Sequence, residues 1–68
     1  NILAPGFVAT DILAKDTPEK RKERELQVPL KRVGTPKDMA QTISFLVSND
    51  SSYITGAIIH VNGGLYLP

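Results

Sequence analysis

Cysteine is absent from these 68 residues, and so is tryptophan. Without cysteine there are no disulfides and no thiolate metal sites. One histidine is too few for a His-rich metal centre. Neither sign of charge dominates: the balance is +1, with 22% charged residues. That mixture gives no case for a nucleic-acid or membrane surface. No apolar run has the length needed to span a bilayer, and no stretch of these residues reads as a signal peptide. Internal repeats and low-complexity tracts are missing too. What remains reads as part of a soluble globular protein, with the cytoplasm as the simplest location. The length allows one small domain at most, and its core would be marginal without a partner.

The first stretch, "NILAPGFVATD", raises a question of its own. Asn1–Ala4 reads as the tail of a strand, and Pro5-Gly6 as a breaker pair. Thr10 or Asp11 can cap a short helix. In "KDTPEKRKERELQVP", Asp16 or Thr17 can serve as N-cap, with Pro18 at the first helical position. Glu19 then suits the positive end of the helix dipole. Arg21 and Glu25 form an opposite-sign pair at i,i+4, while Glu19 and Glu23 are a like-charged one. Over Glu19–Gln27, Leu26 is the only clear apolar residue. A helix so polar faces solvent or lies over something as a mobile flap. Its charges alternate and nearly cancel, so a solvated face accounts for "EKRKERE" better than nucleic-acid binding does.

"VGTPKDMA" carries a stronger signal. Thr35 caps, Pro36 opens the helix, and Asp38 stands where a capping-box acid belongs. Met39, Ile43, Leu46 and Val47 make one apolar stripe over a helix predicted at 36–48. Ala57–Val61 is β-branched on both faces, as in a parallel strand covered on both sides. Asn62-Gly63-Gly64 ends it. A strand tail, helices and a second strand make a right-handed βαβ crossover. Two strands do not make a stable sheet by themselves.

Four segments together carry a resemblance: "NILAPGFVATD", "VPLKRVGTPKDMA", "FLVS" and "SSYITGAIIHVNGG". In this order and spacing the chain resembles the C-terminal part of a short-chain dehydrogenase/reductase. It is most similar to the 3-oxoacyl-[acyl-carrier-protein] reductase branch. The resemblance implies an α/β fold, specifically the C-terminal βαβ portion of a Rossmann-like doubly wound parallel sheet. Residues 1–10 would be a strand end and nicotinamide-side loop, 11–28 a substrate flap, 36–48 a helix and 57–61 the last strand. On this view the chain opens in mid-strand because it is a segment of a longer enzyme, inactive alone.

The resemblance also assigns roles. The Pro5–Thr10 loop would follow the carboxyl end of a parallel strand, where ligands bind in such sheets. Pro5, Gly6, Phe7, Val8 and Thr10 are therefore the candidate cofactor-binding residues, for NAD or NADP. The Val8 backbone would pair with the nicotinamide carboxamide, and Thr10 would add a hydroxyl. Gly6 would let the backbone come close to the ring, and Phe7 would flank it or pack. Read from the residues alone, the same segment is a plain turn with Thr10 as helix cap.

No catalytic residue is assigned within the chain. The family's Ser, its Tyr-x-x-x-Lys pair and its Gly-rich loop would lie upstream. Tyr53 is followed four residues on by Ala57, and Tyr66 has only two residues after it. No metal site is expected. Arg32 matches a structural position that bonds nearby carbonyls. His60 reads as a packed or interface residue, and the Met39–Val47 stripe as core or subunit contact. Lys20, Lys22 and Arg24 could meet an anionic carrier or cofactor tail. Asn62 departs from the family's usual Asp. The implied partners are the rest of the same domain, a small carbonyl or acyl-thioester substrate, and further copies in a homo-oligomer, commonly a tetramer. The alternative is a non-catalytic interaction module that associates with intact subunits.

Overall fold

The computed structural model describes the backbone of all 68 residues. It describes the side chains of all but Ile12 and Leu13. Its order is β1 (Ile2–Pro5), α1 (Asp11–Ala14), α2 (Pro18–Gln27), α3 (Pro36–Leu46), a 3-10 turn (Asn49–Ser51) and β2 (Ile58–Val61). β1 and β2 pair in parallel, with Ile2 opposite Ile58 and Pro5 opposite Val61. The architecture is thus the expected α/β crossover, in which helices link two adjacent parallel strands.

Local chemistry explains most boundaries. β1 runs one residue past the predicted end and includes Pro5. The proline costs nothing at this edge of the ladder, because the closing bond comes from the Gly6 N–H to the Val61 carbonyl, 3.1 Å. At the other end the Ile2 N–H donates to the Ala57 carbonyl at 2.9 Å. The Asn1 side chain braces the same corner, accepting from the Ala57 N–H (2.9 Å) and donating to the Ile54 carbonyl (3.2 Å).

Thr17 caps α2 by accepting from the Lys20 N–H, and Pro18 holds the first position. The Arg21–Glu25 pair forms at 3.6 Å. Asp16 does not cap; it forms an ion pair with Arg24. α2 buries none of its residues. α3 opens with the complete capping box predicted for it. It ends two residues short of the predicted boundary. Val47 caps it with its N–H on the Ile43 carbonyl, and the Ser48 hydroxyl caps the Phe45 carbonyl at 2.7 Å.

Val28 and Val33 are the buried apolar side chains among the described residues. Both lie in the connection between α2 and α3, where Lys31 adopts φ 61° to complete the turn. The predicted stripe is only partly used. Met39 and Leu46 are half-buried, but Val47 is 80% exposed. β2 is likewise not covered on both faces: Ile58 is exposed and the rest of the strand half-buried. These residues have apolar character suited to burial, yet among the described residues α3 covers them only in part.

Candidate functional site

The loop after β1 is shaped by two close approaches. At Gly6, a β-carbon would lie 2.7 Å from Asn62 Cβ and 2.9 Å from Asn62 Cα. Only hydrogen fits there, so Gly6 lets β1 end flush against the end of β2. Two residues on, Val8 forms a parallel bridge with Gly34. The Gly34 N–H donates to the Phe7 carbonyl, and the Ala9 N–H donates to the Gly34 carbonyl, both at 2.8 Å. In a parallel bridge of this kind the central residue turns its own N–H and C=O to the opposite side. Val8 therefore points both groups away from Gly34. Its carbonyl accepts from the Thr10 N–H at 2.8 Å. Among the described residues nothing accepts from its N–H.

Thr10 is exposed and immediately precedes α1, taking the Ala14 N–H on its carbonyl at 2.9 Å. Its hydroxyl has no hydrogen-bond partner among the described residues. Phe7 is half-buried, with the Arg24 guanidinium 5.1 Å from its ring centroid. Sequence reading offered Arg24 only as a contact for an anionic partner. In the structure Arg24 pairs with Asp16 and lies over Phe7, joining α2 to the loop, a link that no local spacing announces. Lys20 and Lys22 remain exposed.

The bridge partner Gly34 sits inside a second cluster. Asp38 Oδ2 accepts from Arg32 Nη1 (2.8 Å), the Thr35 N–H (2.8 Å) and the Thr35 hydroxyl (3.1 Å). Arg32 also donates to the Val33 carbonyl at 3.2 Å, the carbonyl contact expected of it. Hydrogen bonding from Arg32, and then from the Thr35 backbone, holds the Asp38 carboxyl down from 3.8 to about 2. The same hydrogen bond and the charge of Asp38 raise Arg32. A carboxylate depressed by folding stabilises the fold above its unfolded pKa and loses that contribution as it protonates. The start of α3 should therefore loosen as pH falls from 3.8 through about 2. A carbon-detected NMR titration of Asp38 in the folded protein would check this; a midpoint at the ordinary 3.8 would contradict it.

A cleft of about 760 Å³ is lined by Leu30, Met39, His60, Asn62, Tyr66 and Leu67 among others, and by Gly34, the bridge partner of the loop. None of Pro5–Thr10 lines it. His60 packs on Tyr66, ring centroids 5.0 Å apart. Asn62 accepts from the Gly64 N–H (2.9 Å) and donates to the Tyr66 carbonyl (3.1 Å). A carboxylate could keep the first bond but not donate the second, so Asn62 ties the chain end down where Asp would not. Among the described residues no cluster of His, Asp and Glu could hold a metal. Among the described residues no helix is long and apolar enough to cross a membrane.

A family model described as enoyl-(acyl carrier protein) reductase matches residues 1–66. The 3-oxoacyl-[acyl-carrier-protein] reductase FabG of Haemophilus influenzae is 49% identical over 67 residues, covering 98% of this chain and 28% of that protein. FabG of Aquifex aeolicus is 46% identical over 66 residues, covering 97% of this chain and 27% of that protein. A crystal structure of 3-oxoacyl-[acyl-carrier protein] reductase from Brucella melitensis superposes with a TM-score of 0.90 at 38% identity, covering 97% of this chain and 25% of that one. A short-chain dehydrogenase/reductase from the same organism, a glucose/ribitol dehydrogenase, gives a TM-score of 0.87 at 38% identity, covering 97% of this chain and 27% of that one. The chain thus spans little more than a quarter of the length of the curated relatives it matches. With its parallel βαβ unit seated in a Rossmann-like fold by these matches, the chain belongs to the short-chain dehydrogenase/reductase family and resembles its 3-oxoacyl-[acyl-carrier-protein] reductases.

Proposed function

We propose that this chain is the C-terminal portion of an NAD- or NADP-dependent oxidoreductase, in which it holds the nicotinamide end of the cofactor. When bound, the cofactor supplies or accepts the hydride that interconverts a carbonyl and an alcohol. The reductases that the chain resembles favour a carbonyl carried on an acyl thioester. The observation that carries the reading is the Val8–Gly34 bridge, which leaves the Val8 N–H unpaired and facing away from Gly34. A carboxamide has one acceptor and two donors. Val8 offers a matching N–H beside a carbonyl with a lone pair to spare, and Thr10 adds a free hydroxyl. Pro5 and Gly6 set the loop's departure from β1, and Phe7 backs it under Arg24. Fixed backbone contacts of this kind present one ring face to the substrate.

The acid–base residues of the reaction lie in the longer protein, so the segment is inactive alone. α1 and α2 form the flap over the substrate side. The exposed apolar side chains Ile43 and Phe45 of α3, Val47 at its cap and Ile58 of β2 support subunit contacts in a homo-oligomer, a tetramer, in the cytoplasm.

The test is Thr10→Val in the full-length protein. Loss of one good hydrogen bond should raise the cofactor KM or lower kcat by about tenfold. Wild-type kinetics with an intact fold would refute the assignment.

A further inference from the structure

Among the described residues Gly34 spends both backbone groups on the Pro5–Thr10 loop, and its chain neighbours Val33 and Thr35 are held by the side chains of Arg32 and Asp38. Arg32 precedes it by two residues and Asp38 follows it by four. Their side chains close the intervening turn with a two-pronged contact, Nη1 to Oδ2 at 2.8 Å and Nη2 to Oδ1 at 3.4 Å. Asp38 Oδ2 also holds the N–H and hydroxyl of Thr35, the next residue along. Arg32 holds the Val33 carbonyl, the residue before. Gly34 is packed at ordinary contact distance. A β-carbon on it would meet Met39 Cε and the Phe7 carbonyl at 3.4 Å, with Asp38 Oδ2 at 3.7 Å.

Stability is a weak reason for such a pair. The Arg32 side chain is 56% exposed, and exposed ion pairs contribute little because water screens them and ordering two side chains opposes them. The contacts of the pair are geometric: they hold Val33 and Thr35 on either side of Gly34, and the Gly34 N–H and C=O bond Phe7 and Ala9 on either side of Val8.

We propose that Arg32 and Asp38 are positioning residues for the nicotinamide end of the cofactor, acting through Gly34 on the Phe7–Ala9 backbone. The proposal rests on the reading of Pro5–Thr10 as the cofactor loop. It adds that the loop's geometry is imposed from the α2–α3 connection, by residues that do not touch the cofactor.

The experiment compares Arg32→Leu, Arg32→Lys, Asp38→Asn and the Arg32→Leu/Asp38→Asn double variant in the full-length protein, with Thr10→Val alongside. The readouts are cofactor KM and kcat, affinity for ADP-ribose (which lacks the nicotinamide), and hydrogen exchange at the Ala9 and Gly34 amides. Arg32→Leu and Asp38→Asn should each raise the cofactor KM by about tenfold and speed exchange at both amides. ADP-ribose affinity should not change. The double variant should be no worse than either single one, because both break the same link. Arg32→Lys keeps the charge without the fork and should recover part of the loss. It and Asp38→Asn carry the test if Arg32→Leu does not fold.

Equal weakening of ADP-ribose and intact cofactor would mean general destabilisation and overturn the proposal. So would faster exchange with unchanged KM, which would leave the pair merely structural. Unchanged KM in the Arg32 and Asp38 variants, with Thr10→Val impaired, would overturn the positioning role and leave the loop assignment standing. If Thr10→Val were also silent, the loop assignment would fall and the positioning role with it.

Discussion

Expressed by itself, the 68-residue chain should not give a folded monomer. Its buried apolar side chains among the described residues are Val28 and Val33, while Ile2, Leu26, Leu30, Val47, Ile58 and Leu67 are all more than half exposed. Each large aliphatic side chain left in water forgoes about 1.5–3 kcal/mol of burial. Two valines cannot order a chain of this length, whose backbone alone costs about 1–2 kcal/mol per residue to fix. The sheet has two strands, so each keeps an unpaired edge, and such an edge pairs with whatever strand it meets. The expected behaviour is an unfolded or aggregated chain, or one captured by complementary chains. Light scattering gives its mass and amide dispersion by NMR its state of folding. A sharply dispersed monomer would show that the segment is a stable unit and that its exposed apolar faces need no cover.

That exposure marks where sequence patterning stops being informative. The start of α3 was legible because everything needed is local: Thr35, Pro36 and Asp38 make a capping box within one turn. Thr17 and Pro18 did the same for α2. The parallel pairing of β1 with β2 followed from the order of elements and the β-branched run. Burial did not follow, because an apolar stripe states what a face is suited to, not what covers it. Val28 illustrates the converse. It ends α2 and looks like the start of a loop, yet it is 2% exposed. Gly63 stands against it, so close that a β-carbon there would lie 2.7 Å from Val28 Cγ1.

The candidate site divides the same way. Pro5, Gly6 and Thr10 were visible as a breaker pair followed by a cap, and the family resemblance supplied their proposed role. The contacts that shape the loop were not visible. Gly34 meets Phe7 and Ala9 across about 25 positions, and Arg24 meets Phe7 from α2. Parallel bridges and cation–ring contacts between distant segments leave no periodicity in the chain. Arg32 was read for its carbonyl contact alone, because its partner Asp38 was already accounted for as a cap. The structure shows one carboxylate doing both.

In the full-length protein, Gly6→Ala should cost about a hundredfold in kcat/KM, an effect of the size that a 1 Å misplacement of a bound group produces. The reason is space, not backbone conformation. The positive-φ glycines are Gly56, Gly63 and Gly64, and Gly6 is not among them. A methyl group at Gly6 would stand 2.9 Å from Asn62 Cα, which is backbone and cannot rotate away. Asn62 is itself held by its bonds to Gly64 and Tyr66. The strain must then fall on the loop, either by breaking the Gly6–Val61 bond or by swinging Phe7 and Val8 off Gly34. Overpacking of this kind also destabilises, by about 1–3 kcal/mol, so thermal stability must be measured beside activity. Gly56→Ala is the control. Its φ is +68° but nothing lies within 4 Å of the new methyl. It should cost about 1–2 kcal/mol of backbone strain and leave kcat/KM for the cofactor unchanged once the protein is folded. If Gly6→Ala loses stability to the same degree and keeps its kinetics, the close approach to Asn62 serves the sheet alone and does not set the cofactor loop.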